Sequence, residues 1–213
     1  MTRIAIIDYG MGNLHSVSKA VEHVAKVDVI VSSDADVIRK ADKVIFPGVG
    51  AIRDCIAELQ LHELTEVVKE CAQSKPFLGV CLGMQALLSH SDENDGIACL
   101  DIFAGNVKRF ASGMTDEQGN KLKIPHMGWN QVEQVRAHPL WRGIANSSRF
   151  YFVHSYYVSP DDDNVTVGQT KYGVTFSSVI ARENIFAGQF HPEKSQHAGM
   201  QLLTNFVNWD GNS

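Results

Sequence analysis

Cys81 sits in Gly79-Val80-Cys81-Leu82-Gly83, a glycine-flanked cysteine where an apolar run meets a helical pattern. This is the G-x-nucleophile-x-G arrangement of a strand-to-helix elbow. Such an elbow holds the nucleophile in a strained backbone conformation, and the glycines let neighbouring chain approach without a Cβ in the way. The turn also puts the sulfur at a helix N-terminus, where the macrodipole favours thiolate. The Leu82 N–H would then point at an incoming carbonyl oxygen. A cysteine nucleophile needs a base, and the base needs a group to orient it. Gly188-Gln189-Phe190-His191-Pro192-Glu193 supplies both, two residues apart. His191 can pair with the thiol, Glu193 can hold the other imidazole nitrogen, and Pro192 biases His191 toward extended backbone. The chemistry these residues suit is acyl transfer through a Cys81, His191, Glu193 triad.

Pro47-Gly48-Val49-Gly50 has two readings. It is a second donor of backbone N–H groups, with Val49 and Leu82 forming an oxyanion hole, or an ordinary strand-ending turn. Gly10-Met11-Gly12-Asn13-Leu14-His15 only superficially matches a dinucleotide fingerprint, because His15 stands where the third glycine belongs. It is a capped turn or a loop that touches a partner. His126, His154 and His191 show no H-x-x-x-H or H-E-x-x-H spacing, so no metal site is expected. Trp129, Tyr151, Tyr156 and Tyr157 read as core or pocket-lining aromatics that would also suit an interface.

Positioning these groups requires strands that end beside one another. The first half alternates strands (Arg3–Tyr9, Val27–Val31, Lys43–Phe46, Pro76–Val80) with helices. Asn13 caps a helix bearing Leu14, Val17, Val21 and Val24, and Asp34–Arg39 is a short helix. Ala51–Ala72 is one or two helices with a break near Gln60-Leu61, and Leu82–Leu88 is another helix. Alternation predicts a parallel sheet with helices on both faces and a site outside the C-terminal strand ends. From about Leu100 to Gln189 short strands dominate: Asn106–Phe110, Asn130–Val135, Phe150–Val158, Thr166–Gln169 and Ile185–Gln189. They predict an antiparallel layer attached to the first sheet. Ser195–Trp209 closes the chain as a helix with Met200, Leu203 and Val207 on one face. The expected fold class is α/β, a mostly parallel central sheet flanked by helices with an added antiparallel layer, in a single domain over residues 1–213.

The chain has 213 residues, 44% of them hydrophobic and 20% charged, with a net charge of −5. No run of Lys and Arg offers a face for nucleic acid. Ile4-Ala5-Ile6-Ile7 is too short for a signal-peptide core or a membrane span. Cys55, Cys71, Cys81 and Cys99 contain no C-x-x-C pair and read as reduced thiols in a cytoplasm.

The elbow Gly79–Gln85 together with His191-Pro192-Glu193 resembles the class I glutamine amidotransferases. Asp8–Leu14, Pro47–Ala51, Pro125-His126-Met127-Gly128-Trp129-Asn130 and Tyr151–Tyr156 narrow the resemblance to their branch of imidazole glycerol phosphate synthase glutaminases. The resemblance implies a flavodoxin-like fold, attack by Cys81 on the side-chain amide of glutamine, proton shuttling by His191 and orientation by Glu193. It implies glutamine binding by Gln85 with Gly50, Ser155 and Tyr156, and no metal or organic cofactor. It further implies a heterodimer with a (βα)8-barrel cyclase that receives the ammonia. Gly10, Met11, Gly12, Asn13, Trp129 and Lys194 are the expected partner-sensing surface, and a peptide flip at Gly48-Val49-Gly50 the expected switch. Relatives that supply ammonia to surface-sugar amidation share the elbow and the H-P-E segment. A partner-independent cysteine hydrolase is the alternative outside the amidotransferases.

Overall fold

The computed structural model describes residues 2–212. Five strands form the parallel half of the sheet, in the order β2 (Asp28–Ser32), β1 (Arg3–Ile7), β3 (Lys43–Gly48), β4 (Phe77–Cys81) and β13 (Ile185–Gly188). β1, β3, β4 and β13 carry apolar runs because both their faces are covered, whereas the edge strand β2 is only partly buried. Along β1, Ala5 and Ile7 enter one core and Ile4 and Ile6 the other. α1 (Leu14–Val24) and α6 (Gln196–Asn208) bury Val17, Val21, Leu202, Leu203 and Phe206 on one face. α3 (Ile52–Leu61) and α4 (Thr65–Ser74) bury Ile52, Cys55, Leu59, Val67 and Val68 on the other. The expected helix break after Gln60-Leu61 falls where α3 ends. α2 (Ala35–Lys40) starts at Asp34, whose carboxylate accepts from the Asp36 and Val37 N–H groups.

Beyond β13 the sheet continues antiparallel through β12 (Val174–Arg182), β10 (Tyr156–Pro160) and β7 (Phe103–Arg109); β5 (Leu88–Ser91) then pairs parallel with β7, and β6 (Ile97–Ala98) antiparallel with β5. β11 (Thr166–Tyr172) branches from β12 and leads to β8 (His126–Gln134) and β9 (Ser148–His154). The antiparallel strands are thus joined edge to edge with the parallel ones.

Several local expectations are corrected. The strand expected in the antiparallel layer at Ile185–Gln189 is β13, which joins the central sheet parallel to β4 and meets the antiparallel part only through β12. The helix expected over Leu82–Leu88 is α5, only Leu82–Ala86, and Leu88 opens β5 instead. The strand expected over Phe150–Val158 is two strands that part at Ser155. β12 was not anticipated, because Val174–Arg182 alternates poorly. Asn13 occupies the N-cap position of α1 but its side chain makes no cap bond; its carbonyl accepts from the Val17 N–H. On α6 the buried stripe is Leu202, Leu203, Phe206 and Val207, with Met200 only partly buried.

The register brings the site together. Gly48 of β3 pairs with Cys81 of β4, and Val80 pairs with Gly188 of β13. Three neighbouring strands therefore end at one place, and the chain leaving each carries a candidate group.

Candidate active site

Cys81 ends β4 at φ 55° and ψ −110°, a left-handed conformation that costs a non-glycine residue energy. The strain is held by close packing on both sides. A Cβ at Gly83 would overlap the Phe46 carbonyl oxygen, and one at Gly79 would lie 2.9 Å from the Ala187 Cβ. No other residue fits the elbow without moving a strand. α5 is only five residues long, so what it offers the sulfur is the N–H groups of its first turn rather than a long helix's macrodipole.

His191 follows β13. Its N–H donates to Tyr151 O at 2.9 Å, and the Ser195 hydroxyl donates to its carbonyl at 2.6 Å. These bonds fix the backbone from which the ring projects. Pro192 starts a 3-10 turn, Pro192–Lys194, that folds Glu193 back beneath the imidazole. His191 Nδ1 lies 2.9 Å from Glu193 Oε1, with side chains 3% and 0% exposed. Glu193 accepts the Nδ1 proton, so Nε2 is the nitrogen available to the Cys81 sulfur. Burial lowers the His191 pKa, but the Cys81 sulfur and the Glu193 carboxylate outweigh it and push the value up to about 10. The imidazolium form is thereby favoured beside the sulfur.

A cavity of about 280 Å³ opens in front of Cys81. Val49, Gly50, Cys81, Leu82, Gln85, Ser155, Tyr156 and His191 all line it, so the predicted residues converge; Glu193 stands behind His191 rather than on the wall. Gln85 is buried, and its Nε2 donates to Tyr156 O and to Gln189 Oε1, both at 3.0 Å. With both protons committed, Gln85 Oε1 is the acceptor it offers to the cavity.

Sequence reasoning missed three polar neighbours. Gln189 is fully buried, and its Nε2 donates toward Cys81 Sγ at 3.6 Å. A polar residue ending the apolar strand just before His191 was the signal for it. Glu93 reaches the cavity from the loop after β5, with Oε2 accepting the Ile52 N–H at 3.0 Å. Nothing in the sequence links it to Cys81. His154 lines the wall beside Val153 and Ser155.

The remaining candidates fall into two groups. In the first, Asn13 shares a narrow crevice with Pro47, Gly48, Val49, His191 and Glu193, and a Cβ at Gly50 would meet the Met11 Cε. The Gly10–Asn13 loop thus packs on the Gly48–Gly50 turn. In the second, Trp129 packs edge-on to Tyr151 at 6.0 Å and Lys194 Nζ lies 6.0 Å from the same ring. Trp129 is 36% exposed and its neighbour Met127 62%, which makes this a surface cluster rather than core.

The family model described as glutamine amidotransferase class-I matches residues 5–209. The chain is 57% identical over 212 residues to the imidazole glycerol phosphate synthase subunit HisH of Nitrosococcus oceani, covering 99% of each chain. It is 55% identical over 211 residues to the subunit of the same name from Pseudomonas putida, again covering 99% of each. Among solved structures, a glutamine amidotransferase superposes with a TM-score of 0.72 at 14% identity, covering 96% of this chain and 97% of that one. PurLQS from Thermotoga maritima superposes at 0.70 and 16%, covering 97% and 98%. At such identities the superpositions speak for the fold, while the full-length match of the family model extends to the elbow and the H-P-E segment: the chain belongs to the class-I glutamine amidotransferases.

Proposed function

We propose that this chain is the glutaminase subunit of an imidazole glycerol phosphate synthase, acting as one unit along its whole length. The observation that carries the chemistry is the convergence of Cys81, the His191–Glu193 pair and the Gln85 Oε1 acceptor on a single cavity. The relatives of 55–57% identity carry the choice of pathway.

Glutamine enters with its amide toward Cys81. Its α-ammonium donates to Gln85 Oε1 and faces the Glu93 carboxylate, while Gly50, Ser155 and Tyr156 line the space around its amino-acid end. The Cys81 sulfur attacks the amide carbon. The carbonyl oxygen becomes an oxyanion, held by the Leu82 N–H and the Val49 N–H. His191 Nε2 passes its proton to the leaving nitrogen, the C–N bond breaks, and ammonia departs from a glutamyl thioester. Water then attacks the thioester, with His191 Nε2 taking its proton, and glutamate leaves as Cys81 is regenerated. Glu193 keeps Nδ1–H pointed away throughout, so Nε2 is the nitrogen that cycles.

The partner is a (βα)8-barrel cyclase, docked over Gly10–Asn13, Trp129 and Lys194, which consumes the ammonia to make imidazole glycerol phosphate and an aminoimidazole carboxamide ribotide. The Gly48–Gly50 turn is where partner binding reaches the oxyanion hole, because the Gly10–Asn13 loop rests on it. One missing oxyanion donor lowers rate roughly 10²–10³-fold, enough to keep the isolated subunit nearly silent. The expected setting is the cytoplasm, in keeping with four unpaired cysteines. Among the described residues no helix is long and apolar enough to cross a membrane.

The test is glutamate release by the chain alone, with cyclase, and with cyclase plus its nucleotide ligand. Strong stimulation in the third mixture is expected. Full activity of the isolated chain would refute the partner switch, and no glutamate release in any mixture would refute the glutaminase assignment.

A further inference from the structure

His126 and His154 are buried, 3% and 6% exposed, and neither takes part in the chemistry above. They are hydrogen-bonded to each other, with His126 Nδ1 at 2.8 Å from His154 Nε2. The direction of every proton in this pair can be deduced. Asn130 Oδ1 accepts the Gln131 N–H, so its Nδ2 is the end facing Lys171 O and His126 Nε2. His126 Nε2 therefore accepts, and the proton of this ring is on Nδ1. That proton goes to His154 Nε2, which leaves the His154 proton on Nδ1, donated to Tyr156 O at 2.7 Å. The same carbonyl accepts from Gln85 Nε2. His126 is clamped between the rings of Phe152 and Tyr172, with centroids at 4.9 and 4.0 Å, so the chain of bonds starts from a fixed ring.

We propose that His126 and His154 are positioning residues for the substrate's amino-acid end. They form a neutral imidazole pair that fixes the Tyr156 carbonyl and, through it, holds Gln85 with Oε1 facing the cavity. The inference rests on the reading of that cavity as a glutamine site. A third proton on the pair would break one of its bonds, and burial accordingly lowers the pKa of His126 to about 4 and of His154 to about 3. The pair stays neutral, and its bond directions stay fixed, throughout the neutral range. With His154 in the other tautomer, a bare Nδ1 would face the Tyr156 carbonyl, so the His126 proton selects the useful form.

The test compares two alkylating agents on Cys81: 6-diazo-5-oxo-L-norleucine, which carries glutamine's amino-acid end, and iodoacetamide, which does not. In His154→Leu the rate with the glutamine-shaped reagent is expected to fall roughly tenfold, the effect of one neutral hydrogen bond. The iodoacetamide rate is expected to stay within about twofold, since a positioning group acts on binding alone. His154→Asn places an N–H where Nδ1 was and is expected to recover most of the loss. Should His154→Leu fail to fold, His126→Leu, one bond further from the cavity, is expected to show roughly a threefold loss with the same selectivity. An equal loss with both reagents, or no loss with either, overturns the positioning role. If the wild-type protein itself resists the glutamine-shaped reagent while iodoacetamide modifies Cys81, the glutamine reading of the cavity falls instead.

Discussion

Acidification should destabilise this protein well before its carboxylates titrate, and His138 lets the reason be isolated. His138 is 8% exposed, packed against Phe186 and Trp209, and its Nδ1 accepts the Leu140 N–H at 3.1 Å. A proton on Nδ1 would destroy that cap. Burial lowers its pKa to about 4, as it does for His126, and lowers His154 to about 3. Each value lies below the ordinary 6.5 of the unfolded chain. The unfolded state therefore takes up protons first, and stability is lost as pH falls from 6.5 toward the folded values. Between pH 7.5 and pH 5 each histidine contributes a loss of about 2 kcal/mol, and the three together about 6 kcal/mol. That is a large part of a typical stability of about 5–15 kcal/mol. His191 has the opposite sign. With its pKa raised to about 10, its contribution is complete below 6.5 and is lost as pH rises from 6.5 toward 10, so on acidification from pH 7.5 to 5 it offsets about 1.4 kcal/mol of the loss, most of it between 7.5 and 6.5. The assay is urea denaturation at pH 7.5, 6.5 and 5, followed by tryptophan fluorescence from buried Trp141 and Trp209. His138→Asn keeps an acceptor for the Leu140 N–H without titrating in this range, and should reduce the acid loss by about 2 kcal/mol while lowering stability at pH 7.5. A flat or rising stability between pH 6.5 and 5, or an acid loss unchanged in His138→Asn, would refute the reasoning.

Other substitutions test the site and its frame. Cys81→Ala should abolish glutamine-dependent turnover and leave ammonia-dependent turnover by the cyclase intact; residual glutamate release in a pure preparation would remove the nucleophile role. His191→Ala should lower kcat roughly 10²–10⁴-fold, and Glu193→Gln should cost less, because the amide oxygen can still accept from Nδ1–H; steady-state assays showing small, equal effects would return both residues to structure. Gly83→Ala should disrupt the elbow, since its Cβ would overlap the Phe46 carbonyl, and a crystal structure of an active, undistorted variant would contradict the packing argument. Lys43 is 8% exposed and donates to the Phe206 and Trp209 carbonyls at the end of α6, so Lys43→Met should cost about 1–3 kcal/mol in thermal or urea unfolding by orphaning those acceptors; unchanged stability would show that solvent serves them equally well.

Four of the five parallel strands and the two segments that meet at the candidate site were legible in the sequence for local reasons; β13 was read into the antiparallel layer, because its parallel partner β4 lies about a hundred residues away. Apolar runs such as Ile4–Ile7 and Val44–Phe46 have one stable use, as strands covered on both faces. A cysteine between Gly79 and Gly83 at the end of such a run has few structural uses, and His191-Pro192-Glu193 carries its base and orienter within one turn. Val174–Arg182 was not legible as a strand, because its burial comes from β11 and β13 on either side rather than from its own pattern. Glu93 and the His126–His154 pair were invisible as parts of the site for the same reason. Each becomes chemically meaningful only when separate segments are brought within hydrogen-bond reach, and the distance between β5, β8 and β9 is not a property of any segment. Sequence alone thus singled out the residues whose types could carry the proposed chemistry. The sheet register, Gly48 beside Cys81 and Val80 beside Gly188, decided which of them meet. Local physics sets the conformation of a turn, whereas only long-range strand pairing sets what stands opposite it.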